Sequence, residues 1–412
     1  MIQLLHLSDV HLNAGYANKN ENVRHKLREG LNKAVIHAID FAINQKIEGI
    51  IIAGDFFDHD KISFKDEMFV LQNFTRLLEN GQKIFYVSGN HDPMNTASFL
   101  EPLRKHINFY LCDDDEIKII NLISREGESY KIVAVGHKSK NEQRNLIKNF
   151  PVKSRNEIVI GIGHASVPSA LTTAEKESYM AVALNQIEIL QYDYFALGHI
   201  HIRQRLTEKI AYSGNIQGLN IKEVGPKGGI LVTLESGVTH LEEVNFNTLE
   251  WVQFDMIISQ ELATLHDFQE SLINRVAEVV DRSNHAANQL LVRVHLEGKT
   301  HLKKQFEDSN DIAYLLEMVK EKTGILSIEL KHERLRSVVD IDVFMKERTV
   351  LSQMLTRIKE SEYETELLNK IFELPIFPTK LDSEEKKLYL KQLSENLIED
   401  VVERMVVNRN DY

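Results

Sequence analysis
The sequence predicts an α/β domain, then a small α+β domain, then a helical tail. Three observations carry this. Short apolar runs alternate with helical patterns through the first 200 residues. Texture then changes to short alternating runs, typical of antiparallel hairpins. From Trp251 a strand-helix-strand-helix-strand unit begins, and beyond Leu335 the chain is helical and heavily charged.

In order, strands are expected at Ile2 to Leu7, Gly49 to Ala53, Lys83 to Val87, Ile107 to Leu111, Lys131 to Val135, Ile158 to Ile162 and Tyr194 to Leu197. An amphipathic helix from Asn22 to Gln45 joins the first two, with Leu27, Leu31, Ala34, Val35, Ala38, Ile39 and Ala42 at helical spacing. Phe64 to Leu78 does the same between the second and third. Hairpin runs follow at Ala211 to Ser213, Gly229 to Leu234 and Thr239 to Val244. The second unit reads as strand Val252 to Ile258, helix Leu262 to Val280, strand Leu290 to Leu296, helix Ile312 to Glu321 and strand Ile325 to Leu330. Tail helices are expected at Asp342 to Lys359, Tyr363 to Phe372 and Ser383 to Val406, the last two broken by LPIFP from Leu374. This divides the chain into 1–248, 249–335 and 336–412. Neither an internal repeat nor a low-complexity tract is visible.

Composition bounds the function. The 412 residues include 43% hydrophobic and 27% charged residues, which excludes a disordered chain. Apolar stretches such as Ile50 to Ala53 are far short of the roughly 18 residues of a membrane span. The start MIQLLHLSDVH has no basic region, so a secretory signal is not expected. Cys112 is alone, so no intrachain disulfide forms and a reducing cytoplasm is the expected compartment. A net charge of −12 argues against coating nucleic acid by bulk electrostatics. Residues 1–250 carry 27 basic and 31 acidic groups, and residues 251–412 carry 22 and 30. Two divalent cations would cancel the deficit of the first part.

Chemistry is signalled at the strand ends. Each strong strand is followed at once by candidate metal ligands: Asp9-Val10-His11, Gly54-Asp55-Phe56-Phe57-Asp58, Gly89-Asn90-His91-Asp92, Gly163-His164 and Gly198-His199-Ile200-His201. Any one alone reads as a turn or solvated loop. Five at carboxyl ends of strands would converge on one rim, where open α/β sheets bind ligands. Carboxylates, imidazoles and an amide carbonyl, without a thiolate, suit manganese, iron or zinc and a two-metal site that splits phosphoesters.

These motifs resemble the calcineurin-like metallophosphoesterases, whose signature is D-x-H, G-D-x-x-D, G-N-H-[DE], H and G-H-x-H in this order. The resemblance spans about residues 1 to 245. It implies a four-layer αββα sandwich, with one ion on Asp9, His11, Asp55 and His201 and a second on Asp55, Asn90, His164 and His199, Asp55 bridging. His91 would act on the leaving oxygen or the phosphate charge, and Asp58 would orient His91. Asp92 is expected to cap its loop, and His6 and His137 to be structural.

LLHLSDVHL, GDFFD, DYFALGHIH and AYSGNIQG are similar to the SbcD-type nuclease subunits of bacterial double-strand-break processing complexes. GNIQGLNIKEVGPKGG (Gly214 to Gly229) is closer to the YhaO-type DNA repair exonuclease branch. The family has a basic residue soon after Gln217-Gly218, where this chain has Leu219-Asn220. The resemblance implies a Mn²⁺-dependent DNA exonuclease or endonuclease, an SbcC-like coiled-coil ABC ATPase partner, a homodimer and no membrane association. The second domain would then be a capping, DNA-binding one and the tail would grip the ATPase. Alternatives are a small-molecule phosphodiesterase or nucleotidase and a catalytically silent scaffold for the ATPase.

Candidate DNA contacts are Lys222 and Lys227. The basic run Lys138 to Arg155 reads rather as a solvated helix and loop, Lys299, Lys303 and Lys304 as plain surface, and Trp251 as packing. Apolar stripes of the tail (Val343, Val350, Leu351, Met354, Leu355, and Leu388, Leu390, Leu393, Leu397, Val401, Val402) fold back on a core or dock on a partner.

Overall fold
The computed structural model describes residues 1–16, 19–59, 62–94, 96, 98–168, 179–259, 262–338, 341–346, 349–361, 397, 398, 401, 402 and 405. It divides into two compact units. The first comprises Met1–Gln253, Val279–Arg293 and Gly324–Ile328, and the second Phe254–Glu278, Val294–Thr323 and Glu329–Tyr412.

The first unit begins β1 (Ile2–Leu7), α1 (Glu21–Asn44), β2 (Gly49–Ala53), α2 (Phe64–Glu79), β3 (Lys83–Val87) and β4 (Phe109–Cys112). It continues β5 (Lys118–Ile123), β6 (Ser129–Val135), β7 (Val159–His164), α3 (Leu184–Glu188), β8 (Tyr194–Gly198), β9 (Gln204–Arg205), β10 (Ile210–Tyr212), β11 (Gly228–Glu235) and β12 (Val238–Asn245). The helices start where the sequence offers caps: Asn20 accepts from the Val23 N–H at 2.9 Å and Ser63 from the Asp66 N–H at 3.2 Å.

Two six-stranded sheets result, ordered β12-β11-β1-β2-β3-β4 and β5-β6-β7-β8-β10-β9. They pack face to face through Ile2, Leu4, Ile51 and Phe85 of one and Ile132, Ile160, Ile162 and Tyr194 of the other. Leu31, Val35, Ile39, Phe74 and Leu77 of α1 and α2 cover the outer face of the first sheet. α3 and neighbouring loops cover the second through Ile187, Leu190 and Tyr192. This is the four-layer αββα arrangement. Because β1 to β4 run parallel, as do β6, β7, β8 and β10, their carboxyl ends gather on one rim.

The runs after residue 200 are not one set of hairpins: β10 lies parallel to β8 in the second sheet, while β11 and β12 form a hairpin in the first. β5 was not foreseen, because it is an edge strand on which Ile119 and Ile123 face solvent and Leu122 alone is buried. Its apolar side chains therefore lack the inward alternation of a core strand.

In the second part of the chain, β13 (Glu250–Ile258), α4 (Leu265–Arg282), β14 (Leu290–Thr300), α5 (Lys303–Glu307), α6 (Ser309–Thr323) and β15 (Ser327–Ser337) follow, the strands forming a sheet ordered β13-β14-β15. α4 buries Phe268, Leu272 and Val276 at four-residue spacing, and Phe268 meets Phe306 edge-on at 4.9 Å. The single helix expected from Asp342 to Lys359 is two, α7 (Ile341–Lys346) and α8 (Val350–Ser361). Leu355 packs with Ile398 and Val402, flanked by Phe344, Met345, Leu351, Ile358 and Val401, whereas Val343, Val350, Met354 and Leu397 stay exposed. The expected helix Tyr363 to Phe372, the LPIFP break, Leu388, Leu390 and Leu393 lie outside the described residues. Among the described residues no helix is long and apolar enough to cross a membrane.

Phe85 is buried between the sheets and stacks on Tyr110 at 5.2 Å. Phe85→Ala is expected to cost about 3–5 kcal/mol, and Ile119→Ala on the exposed edge less than about 0.5 kcal/mol. Urea unfolding checks both; equal costs would refute the layer assignment.

Candidate metal centre
Main-chain pairing continues past the strands and aims the site residues. Asp9 N–H donates to Gly54 O at 3.1 Å, His11 N–H to Asp55 O at 3.0 Å and Leu12 N–H to Phe56 O at 2.8 Å. The path is strained: Asp9, His11, Asp55 and His199 all take positive φ, at 50°, 50°, 51° and 101°. Non-glycine residues rarely do so, and each costs roughly 1–3 kcal/mol that the surroundings must offset. Gly54, at φ 88°, turns beneath the His164 ring, and a Cβ there would collide with it. A Cβ on Gly89 would likewise strike the Asp55 carboxylate.

Asp92 fixes the loops to one another. Its carboxylate is wholly buried and accepts from the N–H groups of Asp55 (3.1 Å), Phe56 (2.8 Å), Phe57 (3.4 Å) and Gly89 (2.6 Å) and from the Tyr86 hydroxyl (2.6 Å). It caps the loops, as expected. Burial and the charge of Asp55 push it up to about 6, against the pull of these bonds.

The sequence-selected residues meet above this support. Ligand atoms of Asp9, His11 and His201 lie within 4.8 Å of one another, as do those of Asp9, Asp55 and His164 and those of His11, Asp58 and His91. His164 Nε2 is 3.2 Å from Asp55 Oδ2 and 3.0 Å from Asn90 Oδ1. His11 Nε2 is 3.9 Å from Asp55 Oδ2, and His201 Nε2 is 4.0 Å from Asp9 Oδ1. The His199 ring is 5.4 Å from the His164 ring and belongs to none of the three groups, while the main-chain N–H of His199 donates to both oxygens of Asp9 at 3.0 and 3.1 Å.

Hydrogen bonding orients the imidazoles. His11 Nδ1 faces the Asp58 carboxylate at 3.0 Å, His201 Nδ1 the Glu223 carboxylate at 3.1 Å, and His164 Nδ1 the Ala53 carbonyl at 2.9 Å. These oxygens only accept, so each Nδ1 carries a proton and each Nε2 is turned inward. There Nε2 of His11 and Nε2 of His201 meet at 3.1 Å, and that of His164 faces Asp55. Imidazole nitrogens and carboxylates gathered this way in a buried site need protons or cations among them. The donor set therefore fits metal ions.

Electrostatics agrees. Burial raises the Asp55 carboxyl, but the charges and hydrogen bond of His164, with His11 and His91, hold it well below the usual carboxylate range. Burial depresses His164, yet Asp55 and then Asp9 push it up to about 9. His199 goes down to about 4, through burial and the charge of His164. The pocket favours positive charge between its carboxylates.

Two placements differ from expectation. The Asp58 carboxylate bonds His11 at 3.0 Å and His59 at 2.9 Å but stands 3.8 Å from His91 Nδ1. His91 is held by the main-chain carbonyl of Asp58 at 2.9 Å, and its own N–H donates to Asp55 Oδ1 at 2.8 Å. The expected Asp58–His91 link thus runs through backbone, because His11 lies nearer the carboxylate. Lys222 is exposed, but Lys227 is only 7% exposed, and burial lowers its pKa, opposed by Glu223. Its N–H is tied to Asn247 Oδ1 at 3.0 Å.

Elsewhere, Lys138 pairs with Asp115, Arg144 with Asp115 and Glu142, and Lys153 with Asp193, so much of the basic run is neutralised. Trp251 is buried and donates to Gly218 O at 2.8 Å. His6 and His137 are buried, with single side-chain bonds to Tyr194 OH and His164 O. Sequence reading missed Glu223 and Ser8. Ser8 donates to Asp9 Oδ2 at 2.5 Å and meets Ser213 Oγ at 2.8 Å. Their signal was position alone: Ser8 precedes Asp9, and Glu223 lies in the GNIQGLNIKEVG run.

Residues 2–203 match the model of the family described as Calcineurin-like phosphoesterase, and this part of the chain is a calcineurin-like metallophosphoesterase domain. That family hydrolyses phosphoesters with a dinuclear metal site. Among individual relatives, the chain is 24% identical over 283 residues to "Uncharacterized metallophosphoesterase YhaO" of Bacillus subtilis (strain 168), covering 67% of this chain and 68% of the relative. It is 22% identical to the DNA double-strand break repair protein Mre11 of Saccharolobus solfataricus, across 90% of this chain and 99% of the relative. The Mre11 of Sulfurisphaera tokodaii is 25% identical across 78% of this chain and 81% of its own. Of solved structures, a dimetal phosphatase from Danio rerio is 13% identical and covers 57% of this chain and 93% of its own, at a TM-score of 0.33.

Asp92→Ala should strand four main-chain donors and a phenol, each costing about 1–3 kcal/mol. Tyr86→Phe removes only one donor and should cost less. Urea midpoints compare the two; an unchanged midpoint in Asp92→Ala would show that the loops hold without it.

Proposed function
We propose that the chain is a Mn²⁺-dependent DNA exonuclease or endonuclease of double-strand-break repair, working with an SbcC-like ABC ATPase. The carrying observation is the convergence of the inward-facing Nε2 atoms of His11, His164 and His201 with Asp9 and Asp55, a donor set that suits two cations on the rim. Similarity to archaeal DNA double-strand break repair proteins across up to 90% of the chain supports the substrate class. In this reading Asp9, His11, Asp55 and His201 hold one ion and Asp55, Asn90, His164 and His199 the other. Bound there, the pair would supply Lewis acidity, activating a water and neutralising charge on the phosphate.

The chain's own groups do the rest. Asp55 is the shared ligand, locked by the His91 N–H on Oδ1. The Asp58 carbonyl holds the Nδ1 proton of His91, so the imidazolium form can hand its Nε2 proton to the leaving oxygen and remain as the neutral ring protonated at Nδ1. Its side chain is 42% exposed, so a substrate can reach it. Asp58 and Glu223 orient His11 and His201. Residues 249–335 serve as the capping, DNA-binding part, with Lys222 a backbone contact, and the tail from residue 336 binds the partner.

Asp55→Ala should abolish hydrolysis and leave fewer than two Mn²⁺ per chain by metal analysis; two ions with normal turnover would refute the assignment. His91→Asn should retain both ions while kcat falls about 10²-fold or more. Asp58→Asn should instead weaken metal affinity by roughly 10–100-fold, since its carboxylate serves His11. Duplex DNA and bis-p-nitrophenyl phosphate, each with Mn²⁺, separate the readings. Cleavage of both supports the nuclease, and cleavage of the small ester alone the small-molecule phosphodiesterase. Metal bound without either activity indicates a silent scaffold.

A further inference from the structure
Between Gly214 and Gly225 the chain makes a loop clamped by the residues around Leu249. Gln217 donates to Leu249 O at 2.7 Å and accepts from the N–H groups of Thr248 and Leu249 at 3.0 and 3.1 Å. Trp251 holds Gly218 O, and the Gly225 N–H donates to Trp251 O at 3.2 Å. Inside this loop Glu223 is only 8% exposed. Its carboxylate accepts from the Asn215 amide, from Leu219 N–H at 2.8 Å and from the Asn220 amide at 2.7 Å, all within the loop. The fourth donor, His201 Nδ1 at 3.1 Å, alone comes from outside it. Three loop donors thus hold the carboxylate in place independently of His201. The carboxylate positions the ring rather than the reverse.

We infer that Glu223 is a positioning residue that acts through His201. It fixes the tautomer protonated at Nδ1, aims Nε2 toward Asp9 and His11, and strengthens the imidazole as a ligand. It therefore governs the affinity of the ion held by Asp9, His11 and His201, and not of the ion held by Asn90 and His164. The inference rests on the ligand assignment of the proposed function. Asn220, in the Leu219-Asn220 pair where the family resemblance leads one to expect a basic residue, spends its amide on Glu223 and so supports the ligand from behind.

Glutamine cannot replace Glu223 without loss. Each carboxylate oxygen faces two donors, and an amide NH₂ would turn hydrogens toward one of those pairs. Calorimetric titration of Mn²⁺ into the metal-stripped full chain tests the idea. The parent protein should take up two equivalents. Glu223→Gln should weaken one of them by about 10–100-fold and leave the other unchanged, and His201→Ala should lose that same equivalent. Two equivalents at unchanged affinity in His201→Ala would overturn the underlying ligand assignment. If His201→Ala loses one while Glu223→Gln binds both as the parent does, the assignment stands and the Glu223 inference falls. Equal weakening of both ions in Glu223→Gln also overturns it, because a collapsed loop and not one ligand would then be at fault. Thermal melts of the metal-free proteins verify folding. Should Glu223→Gln not fold, Glu223→Asp, which keeps the charge but withdraws it by one methylene, enters the same titration, and parental affinity for both ions would overturn the inference.

Discussion
Buried carboxylates crowded on one rim are the constraint around which the first unit is organised. Asp92 is satisfied by main-chain and phenol donors and ties the β2 and β3 loops together. Asp9 and Asp55 are only partly satisfied, by Ser8 and the N–H groups of His199 and His91. Their remaining lone pairs face imidazoles whose Nδ1 atoms are already committed elsewhere, so protons or cations must lie between them. Crowding of this kind is costly, and the strained backbone at Asp9, His11, Asp55 and His199 adds to the cost. The tightly packed sandwich beneath offsets both, which explains why nearly every residue under the rim is fully buried and apolar.

Much of this was legible in the sequence. β1, β2 and β3 were located to the residue, because each is a largely apolar run followed at once by a charged or glycine-bearing motif. The ligand candidates were legible for the same reason: chemistry sits immediately after the strand. What was hidden is relational. Nothing in the spacing of Asp55-Phe56-Phe57-Asp58 tells that the last carboxylate turns to His11 and leaves its main-chain oxygen for His91. Glu223 was hidden because its partner, His201, is 22 residues away and its other donors are ordinary asparagines and a backbone amide. Lys227 looked like a surface cation because burial of a lysine leaves no mark on composition. β5 was hidden because an edge strand need not alternate.

The centre is shared between the two sheets. Asp9, Asp55, Asn90 and His91 follow strands of the first, whereas His164, His199 and His201 end or follow strands of the second. His164 Nδ1 reaches across to Ala53 O, so one side chain serves both the site and the sheet interface. Small shifts between the sheets would therefore be felt directly as changes in site geometry, since packed cores transmit displacement rather than absorb it.

The strand order also sets a timetable for biosynthesis. β1 pairs with β2 on one side but on the other with β11, Ile2 opposite Leu234. The earliest strand made thus waits for one of the last strands of its unit, and Asp9 stands at its end throughout that wait. At about 5–20 residues per second, the ribosome takes roughly 10–45 s to travel from the first residue to Glu223. For most of that interval the nascent chain carries the rim's carboxylates without His201, and for all of it without Glu223. A chain stalled or cleaved before the loop at 214–225 would hold every candidate ligand, yet lack the β11 partner of β1 and the carboxylate behind His201. Possession of the ligands and support of the ligands are thus separate events along the chain.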